Sequence, residues 1–286
     1  MDSFSINSYA KINLGLDVTG VLPNGYHTVK MVMQNISLCD SLHFKKIKPQ
    51  KIMLKTNVPY LPVNENNIVF GAIKCYKEKY GIDTGVMANI VKRIPVSAGM
   101  AGGSGNAAVT LLAMNKLFGN RASQEELMEM GLSLGADVPF CLMGGTALAE
   151  GIGEKLTPLP KPPAAKVLIV KPPISVSTKM VYAELKPDNE LEHPDIDGII
   201  SCIEQGDLSG MCGRLGNVLE DVTVRLYPVI DEIKQKMLEN GAEGALMSGS
   251  GPTVFGLFRE KETAEKLYFE FKKGKFASTT FLCDFI

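Results

Sequence analysis

The sequence predicts an α+β fold in two lobes, and three observations carry that prediction. Strand-like and helix-like patterns alternate without a regular βαβ rhythm, which favours α+β over a doubly wound sheet. At 286 residues the chain exceeds the usual size of a single core. Proline density rises from Pro158 to Pro163, which sets a boundary near Leu156 and lobes over residues 1–155 and 156–286.

From Phe4 to Val18 apolar residues alternate, with Ala10, Ile12, Leu14 and Leu16 on one face and Lys11, Asn13 and Gly15 on the other, the pattern of a half-buried strand. Pro23-Asn24-Gly25 signals a turn, and Tyr26 to Cys39 resumes an extended pattern. The two strands are therefore expected to pair and to bring His27 near the Lys11 and Asn13 face. Asn64 to Tyr80 carries Val69, Ile73, Tyr76 and Tyr80 at helical spacing, opens on Asn caps and closes at Gly81. A second helix begins within Gly102 to Ala107 and runs to Phe118, before Gly119. Ser123-x-x-Glu126 is a capping box for a third, which ends at Leu134 before Gly135. Asp137 then falls in a short connection just after a helix, a position suited to chemistry. Further on, the spacing predicts a strand over Lys166 to Lys171 and helices over Ile196 to Gln205, Leu208 to Leu219 and Pro228 to Asn240. A strand, a glycine turn at Gly249 to Gly251, another strand and a helix from Glu260 to Lys273 close the chain.

Composition narrows the function classes. The 30 basic and 31 acidic residues leave a formal charge of −1, so no global field draws the chain to nucleic acid or an anionic membrane. The lysines at 45, 46, 48, 51 and 55, and at 272, 273 and 275, read as solvated surfaces. Six cysteines without a C-x-x-C pair suit reduced thiols in a cytoplasm and argue against zinc. The first dozen residues lack the pattern of a leader, and no apolar run approaches the ~18 residues of a membrane span.

The most informative stretch is IPVSAGMAGGSGNAA, Ile94 to Ala108, at the mouth of a helix. Backbone this small approaches a polyphosphate closely, and the N–H groups and positive dipole end of the helix favour negative charge. A flexible loop before a well-capped helix is the plain alternative. Walker A is excluded, because no Lys-Ser or Lys-Thr follows Gly103 or Gly105, and no G-x-G-x-x-G can be read from Gly99 onward. Protein-kinase signatures are missing as well.

With Pro95, Gly99, Gly102, Gly103, Ser104, Ala107 and Ala108 in place, this stretch resembles the second motif of the GHMP kinases, the superfamily of galactokinase, homoserine kinase and mevalonate kinase. SYAKINLGLDV (Ser8 to Val18) and ALMSGSGPTVFGLF (Ala245 to Phe258) are similar to its first and third motifs, in the same order, so the resemblance spans the whole chain. It implies a ribosomal protein S5 domain 2-like N-terminal lobe, a ferredoxin-like C-terminal lobe, and phosphorylation of a small-molecule hydroxyl by ATP. AKINLGLDV, NGYH (Asn24 to His27) and GADVPF (Gly135 to Phe140) together resemble the branch whose polyol substrate carries a cytidine diphosphate and is phosphorylated on its 2-hydroxyl during non-mevalonate isoprenoid synthesis.

The resemblance assigns roles residue by residue. Asp137 is the candidate base and Lys11 the cation that holds the hydroxyl and stabilises negative charge, the two jobs phosphoryl transfer leaves to a protein. Pro95, Val96, Ser97, Ala98, Gly99, Met100, Ala101, Gly102, Gly103, Ser104 and Gly105 form the ATP cradle, and Asn67 stands near the adenine. Asn13, Tyr26, His27, Thr178 and Tyr182 bind the substrate, with Tyr26 and Tyr182 stacking on the base and His27 bonding its edge. Magnesium is expected to travel with ATP through phosphate oxygens and water, with no protein residue assigned as a ligand. Without the family, Lys11 reads as an exposed strand lysine, Asp137 as a turn residue, Asn67 as a helix cap and Tyr182 as a packing aromatic.

The motif's Leu-Gly is Met100-Ala101 here and its second serine is Gly105, followed by Asn106; the methyl of Ala101 and the missing hydroxyl at Gly105 leave open which groups meet the metal or phosphates, with Ser104 still available. A GHMP kinase for a small acyclic alcohol, a decarboxylase and a catalytically silent binding protein remain as rivals. Tyr26 and His27 speak against the first, the NGYH signature against the second, and the presence of Lys11 and Asp137 against the third. Monomer and weak homodimer both stay open.

Overall fold

The computed structural model describes residues 1–23, 25–185, 192–274, 276 and 279–286. Asn24 of the expected turn and Lys275 of the second lysine cluster lie outside the described residues. Two compact units interleave along the chain. The first holds Met1–Ala10, Leu38–Val96 and Ala101–Gly144; the second holds Lys11–Ser37, Ser97–Met100 and Gly145–Ile286.

Strand β1 (Ser3–Val21) begins in the first unit and β2 (His27–Ile47) ends there. In this unit β3 (Ile52–Thr56) runs parallel to β4 (Gly85–Val91), which pairs antiparallel with the end of β2. Helix α1 (Ile68–Tyr80) starts four residues later than the Asn-rich stretch suggested, because Asn67 is the residue that caps it: its Oδ1 accepts from the Val69 N–H at 2.9 Å. Gly81 closes it in the left-handed region at φ 60°. Helix α2 (Gly102–Leu117) packs against α1, and α3 (Gln124–Leu134) opens on the expected Ser123–Glu126 capping box. A short helix that the sequence pattern did not show, α4 (Val138–Met143), follows at once. Phe44, Ile73, Tyr76 and Met114 fill the core of this unit. The Tyr76 hydroxyl donates to Asn115 Oδ1 at 2.8 Å, and burial pushes its pKa up to about 12.

In the second unit, β1 is buried on both faces from Ala10 to Val18, not on one as the alternation suggested. The polar face is covered because small Gly15 admits α6 (Ile196–Gln205): a Cβ there would meet the Ile196 and Ile199 side chains at 2.6 and 2.7 Å. The start of β2 pairs with β5 (Thr146–Gly151), which pairs with β6 (Lys155–Leu159). A second sheet runs β11 (Thr279–Asp284), β7 (Lys166–Lys171), β10 (Val254–Phe258), β9 (Gly244–Met247), all antiparallel. Helices α9 (Val229–Glu239) and α10 (Lys261–Lys273) pack on it. Val167 to Val170 are fully buried, as a strand covered on both faces requires.

The helix expected over Leu208 to Leu219 stops at Cys212 as α7 (Leu208–Cys212). Gly216 passes so close to Pro194 that a Cβ would meet the proline Cβ at 2.6 Å, and the chain extends there as β8 (Gly216–Asn217), parallel to β1. Two short helices complete the unit, α5 (Thr178–Ala183) and α8 (Glu220–Leu226).

Candidate active site

In the first unit, α2 presents its N-terminus without a side-chain cap, so its leading N–H groups are open to an anion. Gly103 is exposed, Ser104 is half-buried and Gly105 is buried. Ala101, at the N-cap, holds a left-handed conformation (φ 52°, ψ 28°) that glycine adopts without strain, so its methyl costs roughly 1 kcal/mol of backbone energy. The other departure has a steric explanation. A Cβ on Gly105 would stand 2.6 Å from Ser8 Oγ, and that hydroxyl is fully buried with no hydrogen-bond partner among the described residues. Gly105→Ala is therefore expected to lower unfolding free energy by about 1–3 kcal/mol, read from urea midpoints, with Ser8→Ala restoring most of it. An unchanged midpoint for Gly105→Ala would remove this account of the missing serine.

Asp137 takes the N-cap position of α4 but makes no capping bond with its side chain. Buried Val138, Pro139 and Phe140 anchor the helix beneath it, and its backbone carbonyl accepts from the Cys141 N–H at 3.2 Å. Asn67 is held twice, as the α1 cap and through Nδ2 donating to the Pro62 carbonyl at 2.7 Å.

The second unit brings most of its expected residues into one connected constellation. Lys11 is only 4 % exposed and its Nζ donates to Asn13 Oδ1 at 2.7 Å, so the exposed-strand reading of this lysine is overturned. Asn13, fully buried, donates in turn to Met31 Sδ at 3.3 Å. The Lys11 N–H donates to the Met100 carbonyl at 3.2 Å, which ties the first motif to the Ser97–Met100 stretch of the second. The third motif closes the set. Ser248 Oγ donates to the Gly99 carbonyl at 3.0 Å, and a Cβ on Gly99, itself at φ 71°, would stand 2.2 Å from the Ser248 carbonyl oxygen. Only glycine fits at 99.

From that turn the constellation continues to the aromatic residues. Thr178, first in α5, shares a 2.8 Å hydrogen bond between its Oγ1 and Ser250 Oγ. Tyr182, one helical turn on, has its ring centroid 4.9 Å from that of His27, tilted by 44°. Tyr26, next to His27 in the chain, is 62 % exposed. The segment leading to α5 is held by Lys171, whose ammonium donates to the carbonyls of Pro172 and Ile174 at 3.2 and 3.0 Å; burial lowers its pKa.

The motif reading missed several residues. Asn217 Nδ2 donates to the Met247 and Gly249 carbonyls at 2.9 and 2.8 Å, clamping the glycine turn, and nothing in its local sequence marks it. Asp40, Lys92 and Asn106 form a buried cluster in the first unit. Asp40 was open to detection, since a carboxylate inside the apolar run ISLCDSLHF demands partners.

Comparison with known proteins defines the class first. Residues 67–145 match the GHMP kinases N terminal domain and residues 199–276 the GHMP kinases C terminal domain. A 4-diphosphocytidyl-2-C-methyl-D-erythritol kinase of Lachnoclostridium phytofermentans is 53% identical over 285 residues, covering 100% of this chain and 98% of the relative. A protein of the same name from Lachnospira eligens is 54% identical over 263 residues, 92% of this chain and 91% of the relative. The crystal structure of a 4-(cytidine 5'-diphospho)-2C-methyl-D-erythritol kinase superposes with a TM-score of 0.83 at 30% identity, covering 99% of each chain. A homoserine kinase from Cytophaga hutchinsonii, at TM-score 0.79 and 22% identity over 99% of this chain and 94% of its own, shares the fold. The chain belongs to the GHMP kinases, and within them to the 4-diphosphocytidyl-2-C-methyl-D-erythritol kinase family.

Proposed function

We propose that this chain transfers the γ-phosphoryl group of ATP to the 2-hydroxyl of 4-diphosphocytidyl-2-C-methyl-D-erythritol, giving the 2-phosphate and ADP, in the non-mevalonate (MEP) route to isoprenoid precursors. The observation that carries this reading is the 53% identity to a kinase of that name along the whole chain. Lys11 holds the hydroxyl and stabilises charge as the phosphoryl group moves, and Asp137 accepts the hydroxyl proton. The loop from Pro95 to Gly105 cradles the phosphates, Asn67 stands by the adenine, and Asn13 and Thr178 orient the substrate. Tyr26, His27 and Tyr182 take the cytosine.

A magnesium ion bound with the nucleotide would supply neutralising charge to its phosphates. Ser104 offers a hard hydroxyl oxygen in the first turn of α2, suited to an ion held otherwise by phosphate and water. Among the described residues no disulfide forms and no helix is long and apolar enough to cross a membrane. We place the enzyme in the cytoplasm.

The test is an ADP-release assay with Mg-ATP and the cytidine substrate, beside homoserine and mevalonate. Turnover on the cytidine substrate alone is expected. Turnover on a control would replace the substrate while keeping the kinase class. ATP binding without turnover would point to a silent binding protein, and loss of carbon dioxide from a phosphorylated acid to a decarboxylase. In the same assay His27→Ala is expected to raise KM for the cytidine substrate about tenfold, with KM for ATP unchanged. Equal KM values for the cytidine substrate would take His27 out of the pocket.

A further inference from the structure

We infer that Asp40 is the positioning residue of the phosphate loop, acting with Lys92 and Asn106; the inference rests on reading the glycine-rich segment as the cradle for the phosphates of ATP. Asp40 lies in β2 with 0 % of its surface exposed, a placement tolerated only when donors surround the carboxylate. Four do. Oδ1 accepts from the backbone N–H groups of Arg93 and Ile94 at 2.7 and 2.8 Å, and Oδ2 accepts from the Lys92 ammonium and from Asn106 Nδ2 at 3.1 Å. Asn106 Oδ1 accepts from the same ammonium at 3.2 Å.

These donors come from the two ends of one segment. Arg93 and Ile94 immediately precede Pro95, and Asn106 is the fifth residue of α2. Asn57 fixes the same end from outside, accepting from the Lys92 N–H at 2.8 Å and donating to the Lys92 carbonyl at 3.1 Å. A Cβ on Gly102 would stand 3.2 Å from Lys92 Nζ, so the ammonium lies beside the first residue of α2, where its charge adds to that of the helix N-terminus. One buried carboxylate thereby sets the distance between the strand that enters the loop and the helix that leaves it. An apolar residue at 40 would fill the core without fixing that distance. Asp40 acts through Arg93, Ile94 and Asn106, and the property it controls is how well the N–H groups of α2 are placed for phosphate.

Asp40→Asn tests this, since it keeps the volume and one acceptor for the two N–H groups but turns a donor toward Lys92 and Asn106. Expected are a KM for Mg-ATP raised about tenfold, an unchanged KM for the alcohol substrate, and faster hydrogen exchange at residues 93–96 and 101–106. Ile73→Val, a core change in the same unit, is expected to lower thermal stability without moving KM for ATP. Asn106→Ala, which leaves the Asp40–Lys92 pair intact, should shift KM for ATP in the same direction by less, and it carries the test if Asp40→Asn does not fold. A KM for ATP equal to wild type in both variants overturns the inference. Exchange in the wild-type protein with and without ATP separates the two ways of failing. Protection of residues 95–105 by ATP, with unaltered variants, removes only the positioning role; no protection removes the phosphate-loop reading and this inference with it.

Discussion

Asp137→Ala is expected to lower turnover about a thousandfold while leaving ATP affinity within a factor of two or three, the size of effect that a positioned proton acceptor contributes. The residue is not needed to cap α4, since its side chain makes no capping bond, and buried Val138, Pro139 and Phe140 hold the helix without it. An unchanged urea midpoint in the alanine variant would mark the loss as catalytic rather than structural. Asp137→Asn separates proton acceptance from orientation, because the amide still hydrogen-bonds a hydroxyl but does not take its proton. If Asn matches Ala in single-turnover rate, proton acceptance is the role; if Asn restores most of the rate, orientation is. Near-normal turnover in the alanine variant, with ATP binding measured by calorimetry, would remove Asp137 from the chemistry.

Lys11→Met should cost about a hundredfold to a thousandfold in kcat, comparable to removing one donor aimed at developing charge. Methionine keeps the length and apolar volume of the lysine stem at a site 4 % exposed, so the fold is expected to survive. Asn13 Oδ1 would lose the donor it holds at 2.7 Å, at a cost of roughly 1–3 kcal/mol in stability. A folded variant that turns over like wild type would show that the ammonium has no part in the chemistry. Arginine at 11 is not expected to rescue, because a planar fork does not fit where a compact ammonium was packed.

Much of this was legible in the chain because it is local. The Ser123–Glu126 capping box, the Gly81 stop and the glycines leading α2 each act within a turn of backbone, so their signals sit side by side in the sequence. What escaped depends on partners far along the chain. Gly15 is a strand residue whose burial is decided by Ile196 and Ile199, and the helix pattern after Leu208 is overruled at Gly216 by Pro194. Strand β5 was not recognised, since its pairing with β2 is a long-range matter, and β6 was missed with it because it pairs with β5. At the site, the three motifs named the glycine loop and Lys11, but Asn217 and the partners that Asp40 demands became visible only when remote segments were brought together.

The interleaving of the two units bears on how such a chain can be cut, copied or recombined. A fragment starting at Gly145 would lack Lys11–Ser37, and with it the partner strands of β5 and β8. Such a piece would carry exposed strand edges and aggregate instead of folding as a portable C-terminal domain. Gene fusions and split reporters built on this chain would therefore need to carry the first hairpin along with the C-terminal half. Exchange of whole halves between relatives should succeed only where the β1–β2 segment travels with the second unit.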